Sequence, residues 1–96
     1  MIVFFDDARH IICAPYDVAA LHELAATIGL KRCWWHASRH PHYDVPKRWA
    51  RDDFAELRRR LKAAGVAHAK VSQRFVLETI NAEDVQVRVA RNPEVG

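Results

Sequence analysis

The stretch that decides the fold is Ile2-Val3-Phe4-Phe5-Asp6-Asp7 of the 96-residue chain. Its four consecutive apolar residues predict a buried first strand, which ends at the two aspartates. In open α/β sheets, ligands bind outside the carboxyl ends of the strands. The stretch therefore predicts a first strand that brings carboxylate to an edge of the sheet where a site could form.

The next segments add a short apolar patch and a helix. Residues 11–13 (Ile-Ile-Cys) form either a return strand or a loop that plugs the core. Asp17 is a suitable N-cap, and Gly29 stands where a C-terminal glycine belongs. Between them, apolar residues recur with the spacing of one helical face: Leu21, Leu24, Ala25 and Ile28. This pattern predicts a first helix that ends at Gly29.

The middle of the chain repeats the alternation of strand and helix. Residues 30–35 and 67–71 are strand candidates, and a second helix is predicted over about Asp52 to Ala64. Either Asp52 or Asp53 can cap this helix, and Gly65 ends it. Its apolar stripe consists of Phe54, Leu57, Leu61 and Ala64. A start at Pro46 is an open alternative.

The C-terminal part contains an alternating pattern. Val85, Val87 and Val89 are separated by Gln86 and Arg88, which predicts a half-solvated antiparallel edge strand. Residues 74–80 fit either a strand or a helix, and residues 81–82 are predicted to form a turn. Together the pattern predicts one α/β domain over residues 1–90 and a tail over 91–96. Its sheet would be partly parallel, with about 4–5 strands and two main helices.

Composition restricts location and partners. The longest apolar runs are far shorter than a membrane span, and no basic lead-in precedes the first strand, so a cytoplasmic protein without a membrane partner is expected. Cys13 and Cys33 are predicted to be buried thiols in a reducing compartment. The net charge of +3 permits contact with phosphate without requiring it. The predicted edge strand could pair with a second copy to form a homodimer.

Residues 34–48 (WWHASRHPHYDVPKR) carry most of the chemistry, with two indoles, three histidines and a carboxylate. The prolines at 41 and 46 bias the residues before them to extended geometry. In an extended run, side chains two apart share a face. His40, His42 and Asp44 are therefore predicted to lie together, with Tyr43 on the opposite face.

These three side chains are candidate ligands for a divalent metal, with zinc, manganese and magnesium as the candidates. The alternative is that His42 and Asp44 form a structural hydrogen-bonded pair, while His40 is solvated. The remaining histidines are interpreted as surface or packing residues: His10, His22, His36 and His68.

Asp6 and Asp7 are candidate catalytic residues together with His42 and Asp44, as general acid or base or as metal ligands. Neighbouring residues of a strand point to opposite faces, so at most one of the two aspartates faces the site. Turn capping with a salt bridge to Arg9 is the alternative. The catalytic hypothesis requires the groups near residues 6 and 42 to converge on one rim of the domain.

Candidate substrate-binding residues are Arg9, Trp34, Lys47 and Arg48. The cations suit a phosphate-bearing ligand or a nucleic acid, and Trp34 could stack on a base. Two functions are consistent with this set. One is a metal-dependent hydrolase acting on a nucleotide or nucleic-acid end. The other is a non-catalytic nucleotide- or nucleic-acid-binding accessory domain.

In their order and spacing, these motifs resemble domain-of-unknown-function family 4031, a group of small bacterial and phage proteins. The similar segments are Val3–Asp7 with Arg9, Ile11–Cys13, Leu21–Leu24, Ile28–Leu30, Arg32 with Trp34 and Trp35, His42–Asp44, and Ala64–Val66. The family usually opens its second helix with Ser-Lys-Arg. Which of Lys47, Arg48 or Arg58 takes that cationic role here is open. The resemblance implies no established activity.

Overall fold

The computed structural model describes the backbone of residues 1–91 and the side chains of residues 1–82. In chain order the elements are β1 (Ile2–Phe5), β2 (His10–Ala14), α1 (Val18–Ile28), β3 (Trp35–His36), β4 (His42–Asp44), α2 (Lys47–Ala63), β5 (Ala67–Lys70) and α3 (Gln73–Arg91). The predicted α/β class is confirmed.

The five strands form one mixed sheet in the order β3-β4-β2-β1-β5. β1 and β5 are parallel, whereas the other three pairs are antiparallel. The partly parallel sheet is therefore confirmed. Residues 11–13 lie in the return strand β2, which follows β1 through a tight turn.

The predicted antiparallel edge strand at Val85, Val87 and Val89 is wrong, because these positions lie within α3. The edge strand on that side of the sheet is β5, which runs parallel to β1. The Ser72 hydroxyl accepts the backbone N–H of Phe75 at 3.1 Å and so caps α3. From there to Arg91 no glycine or proline interrupts the chain, so the helix continues through the valines and through the predicted turn at 81–82. Arg91, the first residue of the predicted tail over 91–96, is the last residue of α3, and the rest of that tail lies outside the described residues.

The sheet carries helices on both faces. On one face, Ile11, Cys13 and Tyr43 pack in the main core with buried residues of α1 and α2. On the other face, Ile12 packs against Val76 and Ile80 of α3. Because strand side chains alternate between faces, His10 shares the α3 face with Ile12.

The helix α1 follows its local sequence signals. Asp17 Oδ1 accepts the backbone N–H of Ala20 at 3.1 Å, and Gly29 ends the helix with a φ of 88°. A positive φ favours glycine, since it lacks the Cβ atom that would clash there. The four predicted stripe residues are all buried: Leu21, Leu24, Ala25 and Ile28. This helix is confirmed.

The helix α2 begins at Lys47, directly after Pro46, which settles the open alternative for its start. It is interrupted where Asp52, Asp53 and Phe54 have positive φ angles of 52°, 55° and 63°. Aspartate enters this left-handed region more readily than most residues. The interruption falls where the sequence predicted a helix cap. Ala64 is exposed, so the predicted apolar stripe loses its last member.

The predicted strand over residues 30–35 is mostly wrong. Residues Arg32–Trp34 form one turn of 3-10 helix, and β3 is only Trp35–His36. Cys13 is buried as expected, but Cys33 is exposed, and both thiols are free. Within the described part of the chain, no helix has the length and apolarity needed to cross a membrane.

Candidate metal centre

Strand pairing collects four polar side chains on the α3 face of the sheet. His10 of β2 lies opposite Asp44 of β4, and His36 of β3 lies opposite His42 of β4. Cross-strand partners share a face, as do residues two apart in one strand. The predicted common face of His42 and Asp44 is thereby confirmed, with Tyr43 buried on the other side.

Three of these side chains could hold a metal ion. His10, His42 and Asp44 each offer one ligand atom, and these atoms lie within 4.8 Å of one another. His42 Nε2 is 3.2 Å from Asp44 Oδ1, and the rings of His10 and His42 are 4.5 Å apart. The ligands of a tetrahedral zinc ion lie about 3.3–3.5 Å apart, from its bond lengths. The cluster therefore needs to close by only about 1–1.5 Å around such an ion.

Hydrogen bonds fix the orientation of both imidazoles. The fully buried Asp6 accepts the backbone N–H of His10 at 3.0 Å and its ring Nδ1–H at 2.9 Å. His42 Nδ1 donates to the backbone oxygen of His40 at 2.8 Å. Because carboxylate and carbonyl oxygens only accept, each Nδ1 carries the hydrogen. Nε2 is then the nitrogen of each ring that a metal would bind, and at His42 the metal would replace the contact of Nε2 with Asp44 Oδ1. Metal-binding histidines are typically oriented in this way.

The third ligand candidate also has a supporting partner. Asp44 Oδ2 lies 2.7 Å from His36 Nε2. The His36 ring stacks on that of His42 with centroids 5.4 Å apart and planes 3° apart. His36 therefore holds one carboxylate oxygen of Asp44 while the other faces His42. The structural His42–Asp44 pair that the sequence allowed is present, and it forms part of this larger cluster.

The ligand set differs from the predicted one by a single residue. His10 takes the place of His40, whose backbone oxygen orients His42 and whose side chain lines the adjacent cavity. Asp6 lies behind His10, so the groups near residues 6 and 42 meet through that imidazole. They meet because β2 pairs with β1 and β4. The predicted strands over 2–5 and 30–35 do not bring them together as parallel strands that end at one edge of the sheet.

Asp7 and Arg9 have other contacts than predicted. Asp7 is highly exposed and forms an ion pair with Lys70 Nζ at 2.8 Å, and not the bridge to Arg9 that the sequence left as an alternative. Arg9 Nη1 donates to the backbone oxygen of Val45 at 3.0 Å. The Arg9 side chain thus ties the β1–β2 turn to the end of β4. Neither residue lines the cavity beside this cluster.

The other predicted substrate residues are also away from that cavity. Trp34 packs against the core under α1 and α2, where its ring is 6.0 Å from that of Trp49. Arg48 lies over Trp34, and Lys47 is exposed at the start of α2. Arg58 donates to the backbone oxygen of Asp53 at 2.9 Å. The cationic role expected from the family resemblance therefore has no counterpart beside the cluster among these residues.

The cavity has a volume of about 330 Å³ and lies between the histidines and α3. Its polar side is formed by His10, Ser38, His40 and His42, and its other side by Gln73, Arg74, Val76, Leu77 and Ile80. Sequence reasoning did not single out His10 or Arg74 as site candidates. The spacing of His10 from Asp6 fits a turn, but its place opposite Asp44 depends on the register between β2 and β4. Arg74 carried no local signal, because its position depends on how α3 packs.

Comparison with protein families, with curated proteins and with solved structures gives no match to this chain. The resemblance to family 4031 therefore stays a prediction. The case for a function depends on the geometry of the site.

On the opposite face, β4 is anchored by a second histidine contact. Tyr43 Oη lies 2.7 Å from His22 Nδ1, and Trp35 packs against both rings. Burial lowers the pKa of His22, and the nearby Arg32 cation lowers it further. Burial also raises the pKa of Tyr43. The neutral imidazole therefore accepts a hydrogen bond from the phenol and fixes the strand that carries His42 and Asp44.

This contact predicts an acid-sensitive contribution to stability. Because the pKa of His22 is lower in the folded protein, the unfolded chain binds more protons as pH falls below the ordinary value of about 6.5. The stabilisation is complete above that pH and is lost as pH falls through the folded pKa. Urea unfolding of His22→Gln between pH 5 and 8 is expected to show a weaker pH dependence than the unchanged protein. Identical pH dependence in both proteins would contradict this assignment.

Proposed function

We propose that this protein is a metal-dependent hydrolase acting on a phosphate-bearing substrate, with the metal held by His10, His42 and Asp44. One observation carries the proposal: ligand atoms of His10, His42 and Asp44 lie within 4.8 Å of one another, and the Nδ1 atoms of both imidazoles are held by acceptor oxygens.

The donor set suits hydrolytic metal chemistry. Two imidazoles and a carboxylate leave coordination positions open, as in catalytic zinc sites. A bound divalent ion there would supply an activated water and would polarise a phosphoryl oxygen. Nitrogen donors favour zinc or manganese over magnesium, which prefers oxygen. His10 and His42 both line the cavity, so a substrate in it would lie beside the open positions.

The other polar residues have supporting roles in this proposal. Asp6 holds His10 in its tautomer, and His36 holds one oxygen of Asp44. The His40 side chain lines the cavity and is available to exchange a proton with the substrate. Arg74 provides a cation for the phosphate.

The non-catalytic nucleotide- or nucleic-acid-binding function has less support. It assigned base stacking to Trp34, which is partly buried against the main core and does not line the cavity. It also assigned phosphate contacts to Lys47 and Arg48, neither of which lines the cavity.

The test is phosphatase activity of protein purified without a metal column and then loaded with zinc or manganese. We expect phosphate release from a generic aryl phosphate, inhibition by chelator, and loss of activity in His42→Ala. His68→Ala is the matched control, because His68 lies on β5 with its Nδ1 also bound to a backbone oxygen, that of Val66. No turnover with either metal, or equal turnover in both variants, would contradict the proposal. Salt-dependent oligonucleotide binding without metal would support the alternative.

A further inference from the structure

The cavity beside the metal centre has two chemically different sides. The sheet side presents histidines and Ser38, whereas α3 presents the aliphatic side chains of Val76, Leu77 and Ile80. Arg74, in the first turn of the same helix, is the cation among the described residues that line the cavity. The cavity therefore joins an anion-attracting end to an apolar wall.

We infer that the substrate is a small phosphate monoester with an apolar alkyl or aryl group, and not a nucleotide or a nucleic-acid end. This inference rests on the proposed function and specifies its substrate class. The apolar group lies against Val76, Leu77 and Ile80. The phosphate lies between the metal ligands and Arg74.

Size and lining argue against a nucleic acid. A cavity of about 330 Å³ lies at the lower end of the range for small-molecule pockets. Among the described lining residues there is no Phe, Tyr or Trp on which a base could stack. Binding of a polymer also depends on contacts to several phosphates, whereas Arg74 is the one Lys or Arg among the described residues that line this cavity.

The same lining favours an amphipathic anion. A guanidinium can donate two parallel hydrogen bonds to phosphate oxygens. Contact with the aliphatic wall stabilises only a ligand that carries an apolar group. Each methylene buried there raises the affinity by about fourfold. Leu77 is 39% exposed, so the wall still has apolar surface for a ligand to cover.

The test is calorimetric binding of ethyl, butyl and hexyl phosphate to the metal-free protein in chelator. We expect affinity to rise by about threefold to fourfold per methylene until the cavity is filled. Leu77→Ser should reduce hexyl phosphate affinity by about 3–10-fold and flatten the dependence on chain length. Val18→Ser is its matched control, since Val18 is also 39% exposed but lies on α1.

Arg74→Gln should lower the affinity for all three alkyl phosphates by a similar factor. Lys62→Gln, which removes an exposed cation from α2, should leave these affinities unchanged. Affinity that is independent of chain length, or tighter binding of a nucleoside monophosphate or a short oligonucleotide, would overturn the inference. Because binding is measured without metal, a failure of hydrolysis alone would overturn the proposed function and leave the ligand class standing.

Discussion

Replacement of His10 by alanine is expected to abolish stoichiometric zinc binding, although the sequence pattern indicated only a surface or packing role for His10. The substitution removes one of three ligands, and the remaining His42 and Asp44 are too few to hold the ion. His40→Ala provides the sharpest control. It removes the side chain that the sequence predicted as a ligand but leaves the backbone oxygen that orients His42. We expect this variant to keep its zinc affinity.

Replacement of Asp6, the buried carboxylate that holds His10, is expected to weaken zinc binding as well. Asp6→Asn keeps the shape of the side chain but replaces one acceptor oxygen with a donor, so it no longer holds both the N–H and the ring of His10. Loss of such a supporting partner typically lowers metal affinity by about 10–100-fold. Asp7→Asn is the matched control, because Asp7 is exposed and contacts only the surface residue Lys70 among the described side chains.

Competition titration with a zinc-binding dye measures both effects. Circular dichroism of each variant separates loss of the site from loss of the fold. Equal zinc affinity in His10→Ala and the unchanged protein would contradict the assigned ligand set. A large loss in His40→Ala with none in His10→Ala would restore the ligand set predicted from sequence.

Trp49→Ala is expected to produce the largest loss of stability, about 3–5 kcal/mol in the free energy of unfolding. Trp49 is 1% exposed and is one of the largest side chains in the main core. Its ring contacts Trp34 edge-on, and the Arg60 guanidinium lies 4.0 Å from its centroid. Removal would leave a cavity that neighbouring elements could fill only in part.

Trp49→Phe distinguishes packing from hydrogen bonding. Trp49 Nε1 has no hydrogen-bond partner among the described residues, so replacement by phenylalanine removes no such bond. Trp49→Phe should lower the free energy of unfolding only through the lost side-chain volume, by about 1–2 kcal/mol. Urea unfolding with linear extrapolation measures both variants. A loss below about 1 kcal/mol for Trp49→Ala would show that this part of the core is not closely packed.

The sequence predicted local features more successfully than long-range ones. The helix α1 was predicted because its cap, its apolar stripe and its terminal glycine all lie within thirteen residues of one another. The alternation around Tyr43 was predicted because it depends only on an extended backbone. In contrast, the valines near residue 87 were wrongly assigned to a strand because of their alternation. A short alternation of this kind also fits within a helix that starts at an upstream cap.

The site shows the same division. His42 and Asp44 were recognised because they are two apart in one strand. His10 was missed because its place opposite Asp44 depends on the register between β2 and β4, which no local pattern specifies. Arg74 entered the cavity only through the packing of α3 against Ile12 and its neighbours. Residues that meet through strand pairing or helix docking therefore require the structure.

The most direct test of the metal site is anomalous diffraction from crystals grown with zinc, recorded on both sides of the zinc absorption edge. The assigned ligands predict one strong peak about 2.0–2.1 Å from Nε2 of His10 and of His42, and about 2.0–2.2 Å from a carboxylate oxygen of Asp44. Absence of a peak at this cluster, or a peak bound by His40 instead of His10, would contradict the account.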